Sequence, residues 1–182
     1  MPRYVALLRA INVGGHVVKM DVLRGHFEKL GFTDVSTFIA SGNVLFTARS
    51  GTAAAMEKRI ARALHGALGF PVETFLRTPR EMTEAVGHVP FDDLADGDAL
   101  SVGFLARALT PTERRSVQGF AGAIDDFGIN ARELYWRSRV RIGESKFSLA
   151  RFEKALGVPA TFRNVTTIRK IAARLGGDSG TG

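Results

Sequence analysis

The sequence predicts an α+β protein, with an N-terminal ferredoxin-like βαββαβ unit followed by a second, smaller α+β unit. Three observations lead to this fold class. Strand and helix patterns follow one another in the order β-α-β-β-α-β over residues 1–78. Residues 79–176 open with helix start signals and then show a β-α-β-β-α order. The composition, with 45% hydrophobic and 24% charged residues among 182, is typical of globular proteins.

The elements of the first unit are each indicated by a short pattern. Four runs that are apolar or rich in strand-forming residues predict strands at residues 4–9, 35–40, 44–47 and 72–77. Apolar residues at helical spacing predict helices at residues 20–30 and 56–68. Each helix is followed by a glycine, Gly31 or Gly69, which is a common helix end.

The second unit is marked by two strong helix starts. The segments TPRE at residues 78–81 and TPTE at residues 110–113 are capping boxes with proline at the first helical position. Strands are predicted at residues 99–106, 124–129 and 133–137, with an extension at 140–142, and helices at 146–156 and 165–175. Residues 91–97 read as an acidic linker, and residues 177–182 as a disordered tail.

The charge is unevenly distributed along the chain. The net charge is +7 and the isoelectric point is about 10.4. Residues 91–126 carry a net charge of −4, whereas residues 132–175 carry +8. A basic C-terminal third suits an anionic partner such as a nucleic acid, a phosphorylated metabolite or an acidic protein. It is equally consistent with a solvated, arginine-rich surface.

Several classes of chemistry are disfavoured by the sequence. Without cysteine there is no disulfide, thiolate catalysis or cysteine-ligated zinc, and a cytoplasmic location is expected. No apolar stretch approaches the ~18 residues of a membrane span and no signal-peptide pattern occurs, so no membrane association is expected. The four histidines lack metal-binding spacing, and no metal or cofactor is expected. The acidic cluster Asp92, Asp93, Asp96 and Asp98 lacks the remaining features of a calcium loop, which favours a solvated loop.

The first candidate binding site is the segment RAINVGG at residues 9–15. In a βαββαβ sheet the first and third strands are antiparallel neighbours, so this segment should meet residues 41–43 and the first helix start. Glycines allow a ligand to approach the backbone, and free N–H groups at a helix start attract anions. The candidate ligand-binding residues here are Arg9, Asn12, Gly14, Gly15, Lys19, Ser41 and Asn43. The alternative is a purely structural turn, in which the glycines reverse the chain and the asparagines cap turns.

Two further candidates lie in the basic part of the chain. Arg163 and Asn164 precede the last predicted helix, where the alternative is that Asn164 is only its N-cap. Lys146 lies near another helix start, between Ser145 and Ser148. The lone Trp136, beside Tyr135, is expected to be a core residue. An exposed pair would instead suit stacking with single-stranded nucleic acid.

The chain resembles the bacterial family catalogued as domain of unknown function (DUF) 1697. The resemblance spans residues 2–175 and rests on LLRAINVGG at 7–15, the Lys19-Met20 pair, LGF at 30–32, ASGNVLF at 40–46, GESK at 143–146 and LGVPATFRN at 156–164 with the threonine pair after it. It implies an α+β fold that contains a ferredoxin-like part, and it implies no activity or catalytic residue. The chain has Ala10 where the family usually has glycine, Phe162 where threonine is usual and Val165 where tryptophan is usual.

Three functions are consistent with the sequence. The first is binding of a small ligand with a phosphate or carboxylate group, at the loop after the first strand and the turn before the third. The second is nucleic-acid binding through the basic C-terminal third, and the third is a non-catalytic oligomeric or partner-binding role. No general base or nucleophile, such as a GxSxG elbow, is identifiable, so the sequence does not indicate whether the protein is an enzyme.

Overall fold

The computed structural model describes residues 1–12, 14–39, 42–141 and 144–177. These residues form eight strands and six helices, and the strands make two four-stranded antiparallel sheets. The predicted α+β fold class is therefore confirmed. Of the predicted tail at residues 177–182, Gly177 is the last residue of the C-terminal helix instead, and residues 178–182 lie outside the described residues, as does Ile142 of the predicted strand extension. In the described part of the chain, no helix has the length and apolarity that a bilayer crossing requires.

The chain divides into two compact units. One consists of Met1–Thr83 together with the C-terminal stretch that begins at Lys170, and the other of Glu84–Arg169. The division predicted from the sequence, at residue 78, differs from this by a few residues. The predicted division also assigned the whole C-terminal helix to the second unit. The periodicity of a helix carries no information about which core its apolar face joins.

The first unit contains one sheet and its connecting helices. The strands are β1 (Arg3–Leu8), β2 (Thr33–Thr37), β3 (Asn43–Thr47) and β4 (Thr74–Arg77), and the helices are α1 (Met20–Lys29), α2 (Ala53–Leu68) and α3 (Pro79–Gly87). The strand order in the sheet is β2-β3-β1-β4. Alternate residues of β1, namely Tyr4, Ala6 and Leu8, belong to the same apolar core as Phe27 of α1 and Ile60 of α2. The alternate residues of the strand and the apolar residues of the two helices thus pack in one core, and this packing fixes the register of β1.

The second unit repeats this plan. Its strands are β5 (Ala99–Leu105), β6 (Asp125–Asn130), β7 (Glu133–Ser138) and β8 (Ala160–Asn164), and its helices are α4 (Pro111–Gln118) and α5 (Leu149–Leu156). The last helix, α6 (Val165–Gly177), begins in this unit, and its part from Lys170 is counted with the first. The strand order is β6-β7-β5-β8, which is equivalent to the order in the first sheet. Each sheet is therefore formed by the element order β-α-β-β-α-β, and a helix, α3 or α6, follows its last strand, although no repeat is visible at the level of residues.

Two elements of the second unit differ from the sequence prediction. β8 was not predicted, because it is short, follows Pro159 and ends in the polar residues Arg163 and Asn164. The predicted strand extension after residue 139 does not form at Val140 and Arg141, since β7 ends at Ser138. The phenyl ring of Phe162 occupies the space beside Gly103 on the neighbouring strand, where an added Cβ would lie 2.7 Å from the ring.

Equivalent features recur where the last strand of each unit leads into the next helix. Thr78 and Glu81 form the predicted capping box at the start of α3, with Thr78 N–H donating to Glu81 Oε2 and Glu81 N–H donating to Thr78 Oγ1. Asn164 accepts a hydrogen bond from Thr167 N–H at the start of α6. Just before each cap lies an arginine, Arg77 or Arg163, whose Nη1 donates to the carbonyl of the preceding residue. The two units thus share local hydrogen bonding as well as topology.

Arg137 organises the acidic part of the second unit. Its side chain, on β7, is 4% exposed and donates to Asp93 Oδ1 over 2.7 Å and to Asp126 Oδ2. Asp98 lies 3.8 Å away, and the guanidinium lies over the ring of Phe91 at 5.0 Å. Asp93 is 75% exposed despite its ion pair, as expected of a solvated loop, whereas the side chain of Asp98 is 10% exposed and the expectation does not hold for it. Among the described residues, no group of three His, Asp or Glu side chains is arranged to hold a metal ion.

Candidate functional site

The structure brings the loop after β1 together with the turn before β3. Leu8 N–H donates to the carbonyl of Gly42 over 2.8 Å, and Leu7 pairs with Asn43 across the sheet. Ile11 is buried, and a Cβ on Gly42 would approach its Cβ to 3.3 Å. The adjacency expected from antiparallel pairing is thus present between residues 9–12 and Gly42-Asn43. Ser41, the third residue of the predicted turn, lies outside the described residues.

The β1–α1 loop contains an unusual concentration of left-handed backbone. Ala10 has φ +64°, Asn12 +59°, Gly14 +62° and Gly15 +85°. Residues other than glycine adopt this conformation uncommonly, and such residues cluster at functional sites as well as in tight turns. A glycine at position 10 would adopt the φ of Ala10 without strain. The loop is therefore a specific structure that the chain maintains at some conformational cost.

Both asparagines of the first candidate site have structural partners. Asn12 Oδ1 accepts a hydrogen bond from Val18 N–H over 2.7 Å, which closes the loop on itself. Asn43 is buried, and its Nδ2 donates to the carbonyls of Phe38 and Ile39 at 3.1 and 2.9 Å. The turn-capping alternative therefore describes both side chains. Lys19 is exposed and immediately precedes α1, where its side chain makes no capping hydrogen bond.

Arg9 lines a surface cavity of about 410 Å³, named here the loop cavity. Its lining residues are Arg9, Ala10, His16, Phe70, Pro71 and Glu73. Arg9 Nη1 lies 2.9 Å from Glu73 Oε2, and both side chains are partly exposed. The imidazole of His16 stacks on the ring of Phe70 with a centroid distance of 3.9 Å. The candidate loop therefore borders a cavity, and the other side of that cavity is formed by the connection between α2 and β4.

A second cavity, of about 200 Å³, lies in the second unit and is named here the Asp125 cavity. It forms where α4 ends, β6 begins and α5 begins. Its lining residues are Gly119, Phe120, Asp125, Lys146, Phe147, Ser148 and Arg151. Lys146 was a candidate from the sequence. Asp125 and Arg151 were missed, because only the fold brings the first residue of β6 to the first turn of α5.

Asp125 is held rigidly at the wall of its cavity. The residue is 9% exposed, and its Oδ1 accepts a hydrogen bond of 2.7 Å from the indole Nε1 of Trp136. The Ser145 hydroxyl lies 2.9 Å from Oδ1 and 2.8 Å from Oδ2. Ser145 Oγ in turn accepts from Phe147 N–H over 3.0 Å, which orders the segment before α5. The buried ring of Trp136 packs against Phe147 with a centroid distance of 4.7 Å. The carboxylate is thus fixed by two donors before any ligand binds.

Two cationic side chains line the same cavity. Lys146 and Arg151 are exposed residues, and within the described part of the chain neither side chain has an ion pair or a hydrogen bond. Ser148 is the N-cap of α5, and its Oγ accepts a hydrogen bond from the backbone N–H of Arg151. With Asp125 ionised, the lining residues carry a formal net charge of +1. The arrangement can bind an anion between two cations beside an apolar wall.

The remaining candidates line neither cavity. Asn164 caps α6, as its structural alternative predicts. Arg163 Nη1 donates to Thr161 Oγ1 at 2.8 Å, and burial lowers the pKa of the Arg163 guanidinium to about 10. Tyr135 and Trp136 are buried, and the Tyr135 hydroxyl donates to the carbonyl of Ala85 over 2.8 Å, while burial raises the pKa of that hydroxyl. The core role expected for this pair is therefore correct, and neither ring is exposed as a stacking platform.

Comparisons with known proteins agree with the fold. A family model described as "Protein of unknown function (DUF1697)" matches residues 1–135. Among solved structures, that of the conserved bacterial protein SP0830 from Streptococcus pneumoniae is similar, with 25% identity and a TM-score of 0.69. The similarity covers 96% of this chain and 98% of that one. No curated protein matches the chain.

Proposed function

We propose that this chain, which belongs to the DUF1697 family of proteins of unknown function, binds a small anionic ligand in the Asp125 cavity. The anionic group is a phosphate or a carboxylate, as expected from the sequence. The observation that supports the proposal is that Lys146 and Arg151 line one cavity without a partner in the described part of the chain. Both cations therefore border the space that a ligand would occupy.

Physical reasons favour an anion at this place. Like charges near one another repel, and a shared counterion removes that repulsion. The rings of Phe120 and Phe147 exclude water from one side of the cavity, which strengthens a hydrogen bond between charged groups. The first turn of α5 begins beside Ser148, so its partial positive charge acts in the same direction. The cavity of about 200 Å³ lies below the roughly 300–1,000 Å³ of drug-sized sites, which indicates a ligand of few atoms.

Replacing either cation with alanine should weaken anion binding. We expect Lys146→Ala and Arg151→Ala each to reduce the affinity for inorganic phosphate or methylphosphonate about tenfold, since one charge-assisted hydrogen bond contributes roughly 1.5–3 kcal/mol. Isothermal titration calorimetry at low salt measures the effect. Lys154→Ala is the matched control, because it removes an exposed positive charge from α5 outside the cavity lining. Equal losses in all three variants would contradict the proposal and indicate only long-range attraction.

The loop cavity is a second candidate for the same function, as the sequence suggested. The observation that favours this cavity is that Arg9 and His16 line a space large enough for a small metabolite, beside the loop with left-handed backbone. It ranks second because Arg9 is already paired with Glu73, whose negative charge opposes an anion. Asn12, Gly14, Gly15 and Lys19 belong to the same loop and are retained as proposed ligand contacts. Asn43 serves mainly to hold the neighbouring turn.

A charge-neutralising change at Glu73 tests the loop cavity. If Arg9 binds the anion, Glu73→Gln should tighten binding several-fold, because the competing carboxylate is removed, whereas Arg9→Ala should abolish binding at this site. The measurement is a phosphate titration followed by chemical-shift changes at residues 9–19. Glu28→Gln, a change at an exposed acid on α1, should leave the titration unaltered. Unchanged or weaker binding in Glu73→Gln would rule out Arg9 as the anion ligand.

The other functions expected from the sequence remain predictions. Nucleic-acid binding through the basic C-terminal third now lacks the exposed aromatic pair that would have supported stacking. A steep fall in affinity with salt would identify it. A non-catalytic partner-binding role is tested by the mass of the protein in solution. The cytoplasm remains the proposed location, supported by the absence of cysteine.

A further inference from the structure

We infer that the ligand of the Asp125 cavity is a small zwitterion, with an amine that binds Asp125 and an anionic group that binds Lys146 and Arg151. The inference rests on the proposed function and adds the chemical class of the ligand. Its basis is that a fixed, nearly buried carboxylate and two cations line one cavity of about 200 Å³. A cavity of this size keeps the two charged groups of the ligand within a few bonds of each other.

The hydrogen bonds of Asp125 leave room for another donor. An ionised carboxylate offers about four acceptor positions on its two oxygens. Among the described residues, its donors are the Trp136 indole N–H and the Ser145 hydroxyl. The hydroxyl has one proton and lies within hydrogen-bond distance of both oxygens, so it serves one oxygen at a time. Among the described residues no further donor occupies the remaining positions, so a ligand amine can take one of them.

The same carboxylate would be unfavourable in a site for a plain anion. Asp125 repels an approaching phosphate or carboxylate, and its partial burial reduces the screening of that repulsion. With a zwitterion the sign of this interaction reverses, because the ligand ammonium forms an ion pair with Asp125. The site thereby discriminates against simple anions by repulsion as well as favouring zwitterions by attraction.

The apolar wall restricts the class further. The rings of Phe120 and Phe147 meet edge to face with centroids 6.2 Å apart, and both line the cavity. They offer an apolar surface to the carbon atoms that join the two charged groups. The ligand class is therefore an amino acid or an aminophosphonate with a compact carbon skeleton.

Aminomethylphosphonate and methylphosphonate form a matched pair of probes, since they differ only by the amine. For the full chain, we expect the amino compound to bind about tenfold tighter. Trp136 is the sole tryptophan and donates to Asp125, so its fluorescence and its indole N–H resonance report on this site. The amino compound should shift the indole resonance more than methylphosphonate does. This readout uses the wild-type protein, so it holds even where a variant fails to fold.

Variants separate the inference from the proposed function. Asp125→Asn should abolish the preference for the amine and tighten the binding of methylphosphonate, because the repelling carboxylate is gone. Lys146→Ala should weaken the binding of both probes. Asp96→Asn, which removes an exposed charge, should preserve the tenfold preference. Equal affinities of wild type for the two probes would overturn the inference and leave the proposed function intact. Absence of binding for both probes would overturn the two together.

Discussion

Replacement of Arg137 with methionine is expected to lower the free energy of unfolding by about 3 kcal/mol. The side chain is 4% exposed, and the variant leaves Asp93 without its arginine donor and Asp126 with Arg139 alone. Breaking a buried ion pair by removing one partner costs roughly 3–5 kcal/mol. We expect the lower end, because Asp93 is 75% exposed and regains water, and because methionine retains much of the buried stem.

Arg139→Met is the matched control for this prediction. Arg139 Nη2 also lies 2.8 Å from Asp126 Oδ2, but its side chain is 39% exposed. Exposed ion pairs contribute roughly 0–1 kcal/mol, so this variant should remain close to wild type. Urea unfolding of both variants measures the difference. A loss in Arg137→Met no greater than that in Arg139→Met would show that burial does not strengthen the Arg137 contacts.

The same contacts predict how stability depends on pH. Hydrogen bonding to Arg137 holds the pKa of Asp93 and of Asp126 below the usual range for aspartate. Because both pKa values are lower in the folded than in the unfolded state, the contribution to stability is complete above about pH 5 and declines from there through the unfolded-state pKa of about 3.9. It is lost as the pH falls through the folded-state pKa values. Between pH 6 and pH 2, the free energy of unfolding should therefore fall more steeply with decreasing pH for wild type than for Arg137→Met.

Gly42→Ala is expected to lower the free energy of unfolding by about 3 kcal/mol. Gly42 has φ +79°, which costs an L-residue roughly 1–2 kcal/mol. An added Cβ would also lie 3.0 Å from Leu8 Cβ and 3.3 Å from the Leu8 carbonyl oxygen. Leu8 is buried at the end of β1, so it moves only with its backbone, and overpacking adds roughly 1–3 kcal/mol.

Gly31→Ala separates backbone strain from the clash at Gly42. Gly31 has φ +81°, close to that of Gly42, but a Cβ there meets no atom within 4 Å. We expect a loss of about 1 kcal/mol from backbone strain alone. Thermal and urea unfolding of both variants give the two values. Equal losses would mean that the close contact between Leu8 and Gly42 contributes nothing.

The sequence was sufficient to predict the elements that depend on residues close together in the chain. The capping boxes at residues 78–81 and 110–113 are present in the structure, because each depends on side chains three residues apart. The β1–β3 adjacency was also predictable, since a βαββαβ order makes these strands neighbours. Strand β8 was not predictable, because its five residues form a strand only through pairing with β5, which lies more than 50 residues earlier.

The candidate site shows the same division between local and distant contacts. The sequence by itself predicted the turn after β1 and a helix start at Lys146, three residues before α5 begins at Leu149, because turn and cap chemistry depends on adjacent residues. Only the tertiary structure decided that Arg9 pairs with Glu73 and that Arg137 binds the acidic loop. It also placed Asp125 in one cavity with Lys146 and Arg151. These contacts join residues 20 or more positions apart, and their geometry follows from strand pairing, which no local pattern in the sequence specifies.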